Sequence, residues 1–405
     1  MKVLLVTQYF YPETFKSNDI AFELSKRGHE VTVLTGIPNY PQGKYYKGYG
    51  IFKKRREKIN NVPVIRSFLI PRGKGGGISL GLNYMSWAIA ASLRAFFLAL
   101  FNKYDAIVVH ETSPITVGFP AIVVKKIRKI PIYFWVLDLW PESLTSAGDI
   151  HNPKVLSFFT KITQYIYKNS DKILMSSRGF KKSILEKGDF EDKLIYFPNW
   201  AENIFDGKNT GISIPKLPEG FIVMFAGNIG EAQDFDTIMQ AALLLKEEKD
   251  IHFVFLGDGR KKPWVEDFLN QNGLQNTVHL LGRHPLDSMP SFFKKADAML
   301  VTLKDELIFN LTVPAKLQAY MMAGKPIIAM LNGEGAEIVK EAYCGVTVNS
   351  GNHKKLAEQI VTIKNFGKRQ LNDFGVNGKK YCTENFSLDK SMDHLESILS
   401  STNKS

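Results

Sequence analysis

The chain has 405 residues, 44% of them hydrophobic and 23% charged, more than one hydrophobic core usually serves, so two domains with a cleft between them are expected. Only two cysteines occur, Cys344 and Cys382, which excludes a disulfide framework and a thiolate metal site and suits a reducing compartment. The net charge of +12 is lopsided: residues 1–200 carry 29 Lys and Arg against 15 Asp and Glu, whereas residues 201–405 carry 23 against 25, so the basic half points to an anionic surface.

The opening "MKVLLVTQYFYPE" has an apolar run too short for a signal-peptide core and no small-residue cleavage site. It reads as a first strand, and a cytoplasmic protein is expected. Further strands follow at "EVTVLTG", "DAIVVHE", "IPIYFWVLD" and "KILMSS", with a helix over 17–28. Strands this apolar, alternating with helices, predict a parallel sheet covered on both faces.

Residues 84–101, "YMSWAIAASLRAFFLALF", form the most apolar stretch. A spanning helix would hold Arg94 at the bilayer midplane at a cost of about 3 kcal/mol. Two readings remain, a buried helix of the first domain or a monotopic surface patch. The second would draw on "KKRR" (53–56), "PRGKGGG" (71–77) and "KKIRK" (125–129) for contacts with anionic lipid. Nucleic acid is disfavoured, because these basic runs are not interleaved with aromatics in a reader pattern.

The stretch "FPNWAENIFDGKNTGISIPKLPEGF" reads as a linker, with the boundary near residue 200. Beyond it, "FIVMFAG", "IHFVFLGDG", "TVHLLG", "DAMLVTL", "KPIIAML" and "GVTVN" repeat the strand–helix scheme. The fold class expected is α/β, with two doubly wound domains in tandem.

Ligands of such sheets bind beyond the carboxyl ends of strands. After "DAIVV" come His110 and Glu111, and Asp138 lies in "LDLWPES". His110 reads either as a structural histidine or as a group that orients a sugar. Asp138 reads either as a helix-capping carboxylate or as a contact for an acceptor hydroxyl.

In the second half, Thr312 as a cap, Val313 and Pro314 at the start and Gly324 at the end predict a helix over 313–323. Lys316 falls in its first turn, where a cation opposes the helix dipole unless an anion compensates it. That makes Lys316 the candidate charge for a phosphate. The loop "GNIGEAQDFDTI" contains no Lys or Arg; Gly227, Asn228 and Gly230 are expected to bring backbone close to the ligand. Gly257 and Asp258 in "FLGDGRKK", and Gly282 and Arg283 in "LLGRHPLDSMPSFF", form further glycine turns.

The order of "KRGHEVTVLTG", "LDLWPES", "FPNW", "GNIGEAQDFDTI", "FLGDG", "LLGR" and "VPAKLQAYMMAGKPIIA" resembles the GT-B glycosyltransferases of the retaining family four type. These include the bacterial enzymes that build O-antigen or capsule. The start, "TQYFYPETFKSNDIAFELSKRGHEVTVLTGIPNYPQGKYY", looks like the subgroup of N-acetylfucosaminyl transferases. The resemblance implies two Rossmann-like domains facing a cleft. An acceptor domain would cover 1–200 and a nucleotide-sugar domain 201–383, with a C-terminal helix at about 384–405 crossing back to the first. It implies a nucleotide-sugar donor and no metal cofactor; with the charge asymmetry, the apolar 84–101 stretch and Lys316, the expectation becomes a UDP-sugar donor, a polyprenyl-diphosphate-linked saccharide acceptor and a peripheral place on the inner face of the plasma membrane. His110 matches the family's histidine that contacts the donor sugar, and Gly282 and Arg283 match the turn that receives uracil.

This sequence also departs from the family. Asn228 and Gln233 stand where an Arg and a Lys are typical, Leu311 and Ala319 where paired glutamates are typical, and "ETFKSND" replaces a glycine pair. Asn228, Thr312 and Lys316, with backbone N–H groups, are then expected to hold the diphosphate, and Gln318 to approach the ribose. No carboxylate is placed as a nucleophile, which favours departure and attack on one face over a covalent intermediate. The competing classes are a sugar-nucleotide epimerase of the same fold and a non-catalytic nucleotide-sugar binder. A dehydrogenase is disfavoured because "GNIGEA" does not fit GxGxxG.

Overall fold

The computed structural model describes residues 1–146, 150–206 and 211–401. The chain divides into two compact units, residues 1–197 with 392–405, and residues 198–391.

In the first unit the strands are β1 (Lys2–Val6), β2 (Glu30–Gly36), β3 (Arg56–Ile59), β4 (Val62–Ser67), β5 (Ala106–Glu111), β6 (Ile132–Val136), β7 (Lys172–Met175) and β8 (Leu194–Tyr196). They form one sheet in the order β3-β4-β2-β1-β5-β6-β7-β8. All neighbours are parallel except β3 and β4. Every residue of β5 and β6 is buried, as central strands covered on both faces must be. The helices are α1 (Lys16–Lys26), α2 (Gly77–Phe101), α3 (Gly118–Arg128), α4 (Glu142–Ser146), α5 (Pro153–Asn169) and α6 (Phe180–Leu185).

Strands β3, β4 and β8 extend the sheet beyond the expected set. β3 is the charged "REKI" and β8 only "LIY", so neither offers an apolar run to read. β4 contains Pro63 and the fully buried Arg66. Its position depends on tertiary partners: the Arg66 guanidinium pairs with Glu57 at 2.6 Å and donates to the Tyr11 carbonyl at 2.6 Å.

Glu13, in the turn after β1, is buried and accepts backbone N–H groups from Tyr40 (2.7 Å), Asn39 (2.8 Å) and Phe10 (3.3 Å). Burial raises its pKa from 4.5 to about 7 against the opposing pull of those amides. Because the folded value lies above the unfolded one, its contribution to stability is fully present below pH 4.5 and is lost as the pH rises through 7. Glu13→Ala is expected to lower the unfolding free energy in urea by about 3 kcal/mol, since three amides lose their acceptor. Glu13→Gln keeps an acceptor and should instead flatten that pH dependence.

The second unit holds β9 (Phe221–Ala226), β10 (Ile251–Leu256), β11 (Val278–Gly282), β12 (Ala298–Thr302), β13 (Ile327–Met330) and β14 (Gly345–Val348), ordered β11-β10-β9-β12-β13-β14 and parallel throughout. Its helices are α7 (Phe235–Leu244), α8 (Lys262–Asn272), α9 (Met289–Lys295), α10 (Leu307–Leu311), α11 (Ala315–Met322), α12 (Glu334–Glu341), α13 (His353–Lys364) and α14 (Lys368–Asn385). Successive strand residues feed opposite cores: Met224 packs on one face of the sheet, Val223 and Phe225 on the other.

A last helix, α15 (Leu388–Ser401), follows the break at Phe386 that ends α14. The first unit therefore regains the chain at Met392 rather than at 384. Glu396 and Asp393 hold Arg27 at 2.7 and 2.6 Å, and the Tyr133 hydroxyl donates to the Leu399 carbonyl at 3.4 Å.

Each sheet has one point where strand order reverses, between β1 and β5 in the first and between β9 and β12 in the second. Both are natural ligand positions in open α/β sheets.

Candidate functional site

In the second unit the turns after β9 and β10 are locked together. Ile229 N–H donates to the Asp258 carbonyl at 2.9 Å, Lys261 N–H to the Ile229 carbonyl at 3.0 Å, and Gly257 N–H to the Gly282 carbonyl at 2.7 Å. Gly257 has φ +143°, and a Cβ there would strike the Gly227 carbonyl. These turns and the start of α11 enclose a cavity of about 530 Å³ lined by Gly227, Asn228, Gly257, Asp258, Arg283 and Lys316, among others.

The glycine loop works differently from the expected cradle. Helix α7 starts only at Phe235, after an Asp234 in the left-handed region (φ 52°), so no helix N-terminus sits directly at Gly227. The Gly227 amide is occupied by the Leu256 carbonyl at 2.8 Å and is not free to meet a ligand. A Cβ on Gly227 would instead collide with the Lys316 side chain, and one on Gly230 with the Asn228 amide. The glycines make room for side chains, and Gly230 itself does not line the cavity.

Helix α11 begins at Ala315, with Pro314 as its extended N-cap residue, not at 313. Thr312 caps nothing in it: the hydroxyl turns back to the Ile308 carbonyl at 2.7 Å and closes α10. Val313 is buried in the core beneath. Thr312, Val313 and Pro314 stay outside the cavity lining, which Ala315 enters. Gln318 is also misplaced for a ribose, because its buried amide donates to the Asn199 carbonyl at 2.7 Å and takes no part in the cavity wall.

Lys316 reaches the cavity. Its ammonium donates to the Gln233 side-chain oxygen and lies 4.5 Å from the Phe225 ring centroid. Gln233 thus orients the lysine without lining the cavity itself. Lys261 and Lys304 are paired with Glu231 at 3.5 and 3.0 Å, and Arg283 with Asp258 at 3.4 Å. Among the described residues no carboxylate lies within ion-pair distance of Lys316, and burial lowers its pKa from 10.5 to about 8. A largely buried lysine without a carboxylate counter-ion beside an open cavity is a seat for an anion.

The sequence reading missed Ala315, Tyr320 and His284, all in the lining, where Ala319, at the position of one typical glutamate, also lies. Tyr320 fixes α11 to β9, donating to the Ala226 carbonyl at 3.0 Å and accepting the Ala226 N–H at 2.8 Å. Its signal was the helical spacing, since 319 and 320 share a face with 316.

In the first unit the switch point gathers the other candidates. His110 sits at the end of β5, 1% exposed, edge-on to Trp135 at 5.3 Å between ring centroids. The Thr7 hydroxyl donates to the Tyr9 carbonyl at 3.2 Å and faces His110 Nδ1 at 3.2 Å. With the hydroxyl proton so engaged, Thr7 accepts from Nδ1–H, which leaves Nε2 as a bare acceptor. Nε2 has no partner among the described residues, and burial lowers the pKa to about 3, so the ring is neutral.

Glu111 is fully buried and accepts the amides of Asp138 (3.2 Å) and Leu137 (3.3 Å). Burial, and then the charge of Asp138, raise its pKa well above the usual range. Glu111 shapes the backbone that carries Asp138. Asp138 accepts from the Ser143 hydroxyl, and burial raises its pKa to about 6 against its hydrogen bonds to Ser143 and Ser113.

Comparison with known proteins bears on both units. The family described as "Glycosyl transferase 4-like domain" matches residues 17–200, and that described as "Glycosyl transferases group 1" matches residues 220–365. The chain is 31% identical to the probable glycosyltransferase WbjE of Pseudomonas aeruginosa over 216 residues, 50% of this chain and 52% of that protein. It is 25% identical to the putative colanic acid biosynthesis glycosyl transferase WcaI of Escherichia coli K12 over 344 residues, 80% of this chain and 82% of that protein. Among solved structures, Anabaena Alr3699/HepE in complex with UDP matches with a TM-score of 0.71 at 15% identity, covering 99% of this chain and all of that one. The sucrose-phosphate synthase of Thermosynechococcus elongatus matches at 0.73 and 14% identity, over 99% and 98%. At such identities the two structures establish the fold alone.

Proposed function

Because this chain belongs to the group 1 glycosyl transferases and has the GT-B fold, we propose that it transfers a sugar from a UDP-sugar to a lipid-linked saccharide in polysaccharide assembly. The observation that carries the reading is Lys316, a largely buried ammonium without a carboxylate counter-ion facing a cavity of about 530 Å³. A diphosphate supplies that counter-ion, and the first-turn amides of α11 add the positive end of the helix dipole. Both act hardest on the leaving UDP as its charge develops. Arg283 and His284, at the turn after β11, take the uracil end of the same cavity.

His110 accepts a hydroxyl of the donor sugar at Nε2, and Asp138, titrating near pH 6, meets the acceptor hydroxyl. The complex of UDP with HepE supports the donor class, and the name of WcaI supports polysaccharide assembly. Resemblance of the first forty-odd residues to N-acetylfucosaminyl transferases supports an amino-deoxy sugar, N-acetyl-L-fucosamine first. The acceptor is a saccharide on polyprenyl diphosphate at the inner face of the plasma membrane. Transfer retains the anomeric configuration, with departure and attack on one face.

Purified protein mixed with a panel of UDP-sugars and a lipid-linked saccharide is expected to release UDP with one donor and to extend the saccharide. Absence of product together with absence of donor binding sinks the reading. Donor binding without UDP release on adding acceptor makes the protein a binder.

A further inference from the structure

Helix α2 carries large apolar side chains on opposite sides, yet only one side is covered. Trp87, Ala91, Ala95 and Leu98 are buried where it packs against α3, β2 and β4. The opposite side exposes Ile78, Leu82, Met85, Ile89, Leu93 and Phe97, which follow each other at helical spacing. Leu93 is 62% exposed, Phe101 81%, and Phe52 in the neighbouring turn 95%. A contiguous apolar face of this size on a folded protein marks a contact surface.

Charge says which contact. Beside the face lies a groove of about 730 Å³ lined by Arg55, Arg56 and Arg94 together with Leu93, Phe97 and Phe101. Lys126 stands at a second hollow on the other flank with Ile89 and Tyr165. Neither α2 nor residues 51–56 contain an Asp or Glu, and the next acid, Glu57, is turned to Arg66 at 2.6 Å. Burial, and then the nearby charge of Arg94, hold the Arg55 guanidinium below its usual range, a conflict that an anion relieves. A second copy of the chain would bring its own arginines to the same patch and repel.

We propose that this face of α2 lies in the headgroup layer of an anionic bilayer, with Arg55, Arg56 and Arg94 gripping lipid phosphates while Leu93, Phe97 and Phe101 enter the acyl boundary. The helix does not span, because its Trp87 side belongs to the core of the unit. The sequence had left a buried helix and a surface patch as alternatives; the two are opposite sides of one helix. The proposal rests on the first unit alone and holds whether or not the chain transfers a sugar.

The test is co-sedimentation of the full chain with vesicles of phosphatidylcholine alone or with added phosphatidylglycerol. The parent is expected to pellet with the anionic vesicles and to be partly released by salt. Arg56→Ala/Arg94→Ala should reduce that partition about twenty-fivefold, about fivefold per charge, with UDP binding unchanged. Ile89→Asp/Leu93→Asp, at exposed positions that folding tolerates, should abolish it. Equal partition of the parent onto both vesicles overturns the proposal, as does an arginine variant that pellets like the parent. A dimer in sedimentation equilibrium that Leu93→Asp dissolves also overturns it, assigning the face to a second copy.

Discussion

Lys316→Met is expected to weaken UDP binding by about 2 kcal/mol, roughly thirtyfold, the scale of one charge-assisted hydrogen bond to a buried anion. The parent carries its own signature in pH. With the pKa of Lys316 at about 8, affinity for UDP should fall by no more than about twofold from pH 7 to 8. It should then fall by about tenfold as it levels off near the affinity of the Met variant, because the ammonium form binds more tightly than the neutral amine, while the terminal phosphate of UDP is already ionised above about pH 7. The Met variant should lack that fall. Stability moves the other way. A lysine whose folded pKa lies below its unfolded 10.5 weakens the fold while it is charged, and the penalty disappears as the pH rises above 8. Lys316→Met should therefore raise the melting temperature of the ligand-free protein at pH 7 while it loses UDP. Calorimetric titration and thermal unfolding read both effects. An unchanged UDP affinity would place the diphosphate elsewhere.

His110→Ala is expected to lower kcat about a hundredfold while the dissociation constant for UDP stays within about twofold of the parent, the scale of one lost polar contact in a transition state. In the proposed function UDP is held by residues of the second unit, and His110 has no part in holding it. The ring is neutral down to about pH 3, so the parent's rate profile should show no histidine limb at neutral pH, which separates a hydrogen-bond acceptor from a general acid. Steady-state turnover at several pH values, with UDP titrations alongside, decides between them. Full activity of the variant returns His110 to a structural partner of Thr7 and Trp135.

The sequence alone determined the strand–helix alternation of both halves, since central parallel strands such as "IYFWV" must be continuously apolar. It also determined that Lys316 sits in a helix's first turn, because Pro314 and Gly324 delimit that helix at any tertiary arrangement. It could not determine what a side chain meets. Thr312 and Gln318 lie close to Lys316 in the chain, yet one turns back to Ile308 and the other to Asn199, because packing against α14, β12 and β13 leaves only the 315, 316, 319 and 320 face open to the cavity. Gly227 looked like a backbone donor until its amide was found bonded to Leu256. Its missing Cβ serves the Lys316 side chain, distant in sequence. β3, β4 and β8 were illegible for the same reason, as their pairing depends on neighbours such as the Arg66–Glu57 contact and not on an apolar run. Local pattern reports which residues must leave water. Only the assembled sheets decide which polar groups then lack a hydrogen-bond partner or a counter-ion: among the described residues the Nε2 of His110 has no partner and Lys316, held by Gln233, has no carboxylate.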